Sequence, residues 1–193
     1  MTYEAPLILA IGDSLIAGYG LPAADSFPNQ LAAALQQRFP GARVLNGGVS
    51  GDTTGDVLRR LPRLLSSLER RPALAIVQVG PNDVLRQTPA ARTRAQLEQV
   101  ILDLIGCGIP ILLTTVEAPA FIRDRAKPYL DIHARLAVEH GAVICPFFPT
   151  GVLGRADMVL ADRVHPNAKA IAAVVAAMAP TVARMIDSVR HQA

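Results

Sequence analysis

Five short aliphatic runs, each bounded by Gly or Pro, constrain this chain more than any other feature. They occupy residues 7–11, 42–46, 73–79, 109–116 and 142–145. Unbroken apolar runs of that length suit parallel strands buried on both faces. Between them, residues 26–38, 54–69, 92–106 and 129–140 carry helical periodicity. A last helix follows Asn167, which is placed to cap it, with Ile171, Val174, Val175, Met178, Val182, Met185, Ile186 and Val189 at helical spacing. Pro180 is expected to kink or break that helix, because proline removes a backbone donor and clashes with the preceding turn. No repeat, linker or low-complexity stretch interrupts the alternation. The pattern predicts one α/β domain over residues 1–193, with an open, doubly wound sheet.

Composition narrows the function classes. Apolar residues make up 51% of the chain and aromatic ones only 4%, so the core is expected to be aliphatic. The formal charge is +3, and the arginines are scattered, with pairs at 59–60 and 70–71 on solvated helix faces. Neither a basic run nor a basic surface interleaved with aromatics is present, which argues against a nucleic-acid partner. No apolar run reaches the roughly 18–20 residues of a membrane span, so no integral membrane segment is expected. Residues 7–11 run directly into Gly12-Asp13-Ser14 without a basic region before them. The chain as written is therefore expected in the cytoplasm, and in the periplasm or secreted if a leader has been removed. No His/Cys cluster has metal-ligand spacing, so neither metal nor cofactor is implied. Cys107 precedes the fourth strand and Cys145 ends the fifth, which puts them on opposite rims of the sheet. A disulfide requires Cα atoms closer than about 7 Å, so two free thiols are expected.

Ligands of such sheets bind beyond the carboxyl ends of the strands. Ser14 follows the first strand, Gly51 the second and Asn82 the third, while Asp162 and His165 lie between the fifth strand and the last helix. All five therefore fall on one rim. A serine oxygen attacks poorly until an imidazole takes its proton, and that imidazole needs a carboxylate to fix its tautomer. Asp162 and His165, in Asp162-Arg163-Val164-His165-Pro166-Asn167, are spaced to meet across one turn. Backbone and amide N–H groups near Gly51 and Asn82 are of the kind that stabilises an oxyanion. Each residue also has a structural reading. Ser14 suits a helix N-cap, and Asp13 an acceptor bracing the turn. Gly47, Gly48 and Gly51 suit a tight turn or phosphate cradle, though without the lysine or spacing of a P-loop. Asp52 or Thr53 suits the cap of the next helix, and Asn82 an Asx turn. His133, His140 and His191 are the other histidines, and none combines a loop position with a nearby carboxylate.

Gly12-Asp13-Ser14-Leu15, the segment Asn46 to Thr54, Gly80-Pro81-Asn82-Asp83 and Asp162 to Asn167, in this order, resemble the four blocks of the SGNH (GDSL) hydrolase superfamily. The likeness spans almost the whole chain. It implies a three-layer α/β/α, flavodoxin-like fold whose five-stranded parallel sheet has the order 2-1-3-4-5. It also implies Ser14 as nucleophile, His165 as base, Asp162 as its partner, and the Ser14 N–H, the Gly51 N–H and the Asn82 amide as oxyanion donors. The blocks look most like the bacterial thioesterase–protease–lysophospholipase and arylesterase branch. Small-molecule acyl esters would then be the substrates, extending to thioesters and lysophospholipids, with the oligomeric state open. The G-x-S-x-G elbow of α/β-hydrolases is absent around Ser14. A carbohydrate acetyl esterase of the same superfamily is a rival reading, weakened by the absence of Trp. A flavodoxin-like nucleotide or flavin binder is another, and it would leave Asp162 and His165 without a role.

Val84, Leu85, Pro119, Ala120, Phe121 and Ile122 lie in the connections after the third and fourth strands. They read either as an apolar wall for the acyl chain or as side chains covering the sheet end. Pro81 departs from the small residue that the resemblance leads one to expect. Because it fixes its own φ and restricts Gly80, it is expected to stiffen that connection and favour short acyl chains, up to roughly C8.

Overall fold

Strand β1 (Leu7–Gly12), with all six residues buried, is an interior strand of the sheet. The structure is a computed structural model and describes residues 4–118 and 122–192. Strand β2 (Arg43–Gly48) pairs on one side of β1, and β3 (Leu74–Gln78), β4 (Ile111–Thr115) and β5 (Val143–Pro146) follow on the other. The order is 2-1-3-4-5 and every pairing is parallel, as the SGNH likeness implies. Two close approaches explain why β1 and β2 run on to glycines. A Cβ on Gly12 would sit 2.0 Å from the Gln78 carbonyl oxygen, and one on Gly48 would sit 2.3 Å from the Ala17 nitrogen.

The sheet separates two aliphatic layers by the period-two alternation of β1. Ile8 and Ala10 face helices α2 (Phe27–Leu35) and α8 (Ala168–Gln192). Leu9 and Ile11 face α3 (Thr54–Ser66), α5 (Ala90–Gly106) and α7 (Ile132–His140). Phe27 and Phe147, 5.3 Å apart, are a rare aromatic pair in this core. Thr53 caps α3 in a reciprocal capping box with Asp56, and Asn167 caps α8 by accepting from the Ala170 N–H at 3.0 Å.

Three expectations change. Pro180 does not break α8, which runs unbroken from 168 to 192. Pro180 and the equally internal Pro62 of α3 face solvent, where water can satisfy the carbonyl each proline leaves unpaired. Ala168–His191 is also long and apolar enough, by length and composition alone, to cross a membrane. An unbroken-run count misses it because Lys169 and then Thr181, Arg184 and Asp187 bound the apolar stretch 170–180 well short of a span's length. That stripe (Ile171, Val174, Val182, Ile186) is fully buried against the sheet and α2. Finally, β5 is not buried on both faces. As an edge strand it pairs only with β4, and Val143 and Ile144 stay partly exposed. Cys107, at the end of α5, and Cys145, in β5, are free.

Candidate active site

Ser14 opens a one-turn helix, α1 (Ser14–Ala17), directly after β1. The N-cap of that helix is Asp13, whose Oδ1 accepts from the Leu15 N–H at 3.0 Å. Capping therefore does not occupy the Ser14 hydroxyl, which lies 3.1 Å from His165 Nε2. On the other edge of the imidazole, Nδ1 is 2.7 Å from Asp162 Oδ2. Asp162 Oδ1 meanwhile accepts from the Val164 and His165 N–H groups at 2.9 and 3.0 Å. The Val164 N–H foremost, then the imidazole, pushes Asp162 down to about 2. An ionised carboxylate facing Nδ1 keeps the proton there, so Nε2 is left to accept from the serine. Tyr19 stacks on the His165 ring with centroids 4.4 Å apart. Sequence reasoning missed Tyr19, although its place between Gly18 and Gly20 just after Ser14 was a usable signal.

The expected oxyanion donors sit on the same rim. Gly51 adopts φ +86°, a conformation that favours glycine, and Arg86 holds its carbonyl at 2.7 Å. Among the described residues nothing accepts from the Gly51 N–H. Asn82 stands in the first turn of α4 (Pro81–Leu85), with Pro81 at a position where a helix start tolerates proline. Its amide donates to the Asp52 carbonyl at 3.0 Å and has Asp13 Oδ2 at 3.4 Å. Asp83 is wholly buried and anchors α4 to the start of α3. It accepts from the Thr54 N–H at 2.9 Å and the Thr54 hydroxyl at 2.7 Å, with the Thr93 hydroxyl at 3.3 Å.

Beneath the serine turn, Asp13 is almost fully buried, and loss of hydration pushes it up to about 6. Gln78 Nε2 lies 3.4 Å from it, while the buried Gln78 Oε1 has no partner among the described residues. Asp52 pairs with Arg60 at 2.6 Å, and Arg60 also reaches the Gly12 carbonyl at 3.1 Å.

The remaining histidines have structural partners. His133 Nε2 contacts the Val79 carbonyl at 2.9 Å, and burial lowers its pKa, so it acts there as a neutral donor. His140 contacts Glu98 at 3.1 Å, and His191 contacts the Asp187 carbonyl in the last turn of α8. No His/Cys cluster stands at metal-ligand spacing in the sequence, yet α5 and α7 bring Glu98, Glu139 and His140 within 4.8 Å of one another. The Arg94 guanidinium already binds both carboxylates there, at 2.8 and 2.5 Å.

An apolar pocket of about 120 Å³ opens beside Asn82, lined by Val79, Pro81, Val84, Ile122, Leu130 and Ile132 among others. Val84 and Ile122 thus belong to its wall. Leu85 is 49% exposed and does not line it. Pro119, Ala120 and Phe121 lie outside the described residues.

This sheet, with its rim of serine, glycine, asparagine and Asp–His pair, has the architecture of an SGNH hydrolase. Residues 10–173 match the GDSL-like lipase/acylhydrolase family, and the chain belongs to that family. An arylesterase of Vibrio mimicus is 33% identical over 164 residues, 84% of this chain and 81% of its own. The thioesterase 1/protease 1/lysophospholipase L1 of Escherichia coli K12 is 32% identical, over 84% of this chain and 76% of its own. Among solved structures, the SGNH-hydrolase family esterase AlinE4 superposes with a TM-score of 0.78 at 39% identity. That alignment covers 95% of this chain and 98% of AlinE4.

Proposed function

We propose that this protein is a serine carboxylester hydrolase working through an acyl-enzyme. One observation carries the reading: the Ser14 Oγ–His165 Nε2 contact of 3.1 Å, continued to Asp162 at 2.7 Å. Ser14 Oγ attacks the ester carbonyl while His165 Nε2 takes the hydroxyl proton. Asp162 holds the imidazole and stabilises the imidazolium. The carbonyl oxygen becomes an oxyanion facing the Ser14 N–H, the Gly51 N–H and the Asn82 amide. Collapse of this intermediate breaks the bond to the leaving oxygen, which receives the proton from His165. Water then attacks the acyl-serine, with His165 again as base, and frees the carboxylic acid and Ser14.

Small aryl and alkyl esters are the substrates on this reading. Thioesters and lysophospholipids extend it, since a relative bears the names thioesterase and lysophospholipase. The apolar pocket beside Asn82 receives the acyl chain, and each methylene it buries contributes ~0.8 kcal/mol until the pocket is full. Its modest volume favours short chains. A chain-length series of p-nitrophenyl esters, run beside one acyl-CoA, tests the proposal. Turnover that peaks among the short esters supports it. Absence of turnover on every ester and on the thioester would refute it. A nucleotide- or flavin-binding reading leaves the Ser14–His165–Asp162 chain unexplained.

A further inference from the structure

Arg163 holds φ +58°, a left-handed conformation shared among described non-glycine residues only by Gln87. A residue with a Cβ adopts this region at a cost that glycine avoids. The turn itself is required: the Arg163 N–H donates to the Leu160 carbonyl at 2.9 Å, and the turn aims the Val164 and His165 N–H groups at Asp162. Nothing in that arrangement needs an arginine side chain. Among the described residues it makes no hydrogen bond or ion pair. It lines an open cleft of about 1130 Å³ together with Arg123 and Arg155. Arg123 also has no hydrogen-bond or ion-pair partner among the described residues. Arg155 is occupied by Asp157, with two contacts of 2.9 Å. Glu117 is the one carboxylate among the residues lining the cleft. Two guanidinium groups without a partner among the described residues thus share the cleft lining with a single carboxylate.

The cleft also lies where a leaving group must depart. Leu160, Ala161, Arg163 and Val164, which wall it, lead directly into His165, whereas the apolar pocket flanks Asn82. In serine acyl transfer the histidine hands its proton to the leaving atom, so that part of the substrate projects from the histidine side. On the esterase reading proposed above, we infer that the cleft accepts the leaving group and selects one bearing an anion, a carboxylate or phosphate held by Arg163 and Arg123. Guanidinium suits this task because its planar fork meets such anions in paired hydrogen bonds.

The test compares kcat/KM for p-nitrophenyl butyrate, its ring-carboxylated analogue, and mono-p-nitrophenyl glutarate, which carries the anion on the acyl side. Arg163→Gly keeps the left-handed turn while removing the cation, and Arg123→Ala removes the second. Each is expected to lower the ratio of carboxylated to neutral leaving group about fivefold, the range of a partly exposed ion pair. Arg163→Lys should restore part of the ratio, and added salt should erode the wild-type ratio. The glutarate-to-butyrate ratio should stay constant, and thermal melting checks that each variant is folded. An unchanged ratio in both arginine variants overturns the inference. A fall confined to the glutarate ester puts the anion on the acyl side and overturns the leaving-group assignment. If wild type turns over none of the three esters, the esterase reading fails and this inference with it.

Discussion

Asp13 Oδ2 lies 3.4 Å from the amide nitrogen of Asn82, so a buried carboxylate faces a proposed oxyanion donor. The Asp52 carbonyl accepts from the same nitrogen at 3.0 Å, so the two contacts together fix where the Asn82 amide points. Burial, the largest influence, pushes Asp13 up to about 6, against hydrogen bonds from Leu15 and Gln78 that lower it.

That shift makes a stability prediction with a definite sign. Between about pH 4 and 6 the folded chain holds a proton on Asp13 that the unfolded chain has released, so stability falls as pH rises through this window. A shift of this size corresponds to a loss on the order of 2–3 kcal/mol, complete above the window. Asp13→Asn keeps an acceptor for the Leu15 N–H and removes the buried charge. Denaturant unfolding at acidic and alkaline pH should show the variant gaining on wild type as pH rises. An identical pH dependence for the two proteins would refute the assignment.

Ser14→Ala should abolish ester turnover with the fold unchanged by circular dichroism. Removing a triad nucleophile costs several orders of magnitude in kcat. Mass spectrometry after treatment with an organophosphonate should locate the adduct on Ser14. A folded variant keeping more than about a tenth of wild-type activity is incompatible with the nucleophile role.

Asn82→Ala should lower kcat by ~10²–10³ with little change in KM, the signature of losing one preorganised oxyanion donor. Steady-state kinetics on one good ester decides it. A loss carried wholly by KM would make Asn82 a substrate-binding residue instead.

Asp83→Ala should destabilise the protein by about 2–3 kcal/mol, because it leaves the buried Thr54 N–H without an acceptor. The measurement is the shift in thermal or denaturant midpoint. A midpoint within error of wild type would show that α4 does not depend on this anchor.

Ester hydrolysis should be lost in acid, since a histidine acts as base only when neutral. Asp162, held down to about 2, stays ionised throughout and adds no second acid limb near neutrality. A pH–rate profile with its maximum in mild acid would contradict a histidine base.

Much of this site was legible in the chain itself. Ser14, Gly51, Asn82, Asp162 and His165 were placed on one rim because short apolar runs located the strand ends. Other parts were silent. Helices α1 and α4 span four and five residues, too short for a 3.6-residue period to register. The wall residues after β3 and β4 were legible only by hydrophobicity, which does not say which way Leu85 faces.

The order of residues along the chain already marks the strands, the longer helices and the chemistry at each strand end, because burial imprints a local period on the residues. Long-range packing alone makes Tyr19 stack on His165, Asp83 grip Thr54, and Arg94 fill the space between Glu98 and Glu139. It also set the strain at Arg163. These contacts join elements far apart in the chain or follow from backbone angles, and no local pattern of hydrophobicity records them. The 151-residue step from Ser14 to His165 is closed by the parallel sheet, which brings distant strand ends to one rim.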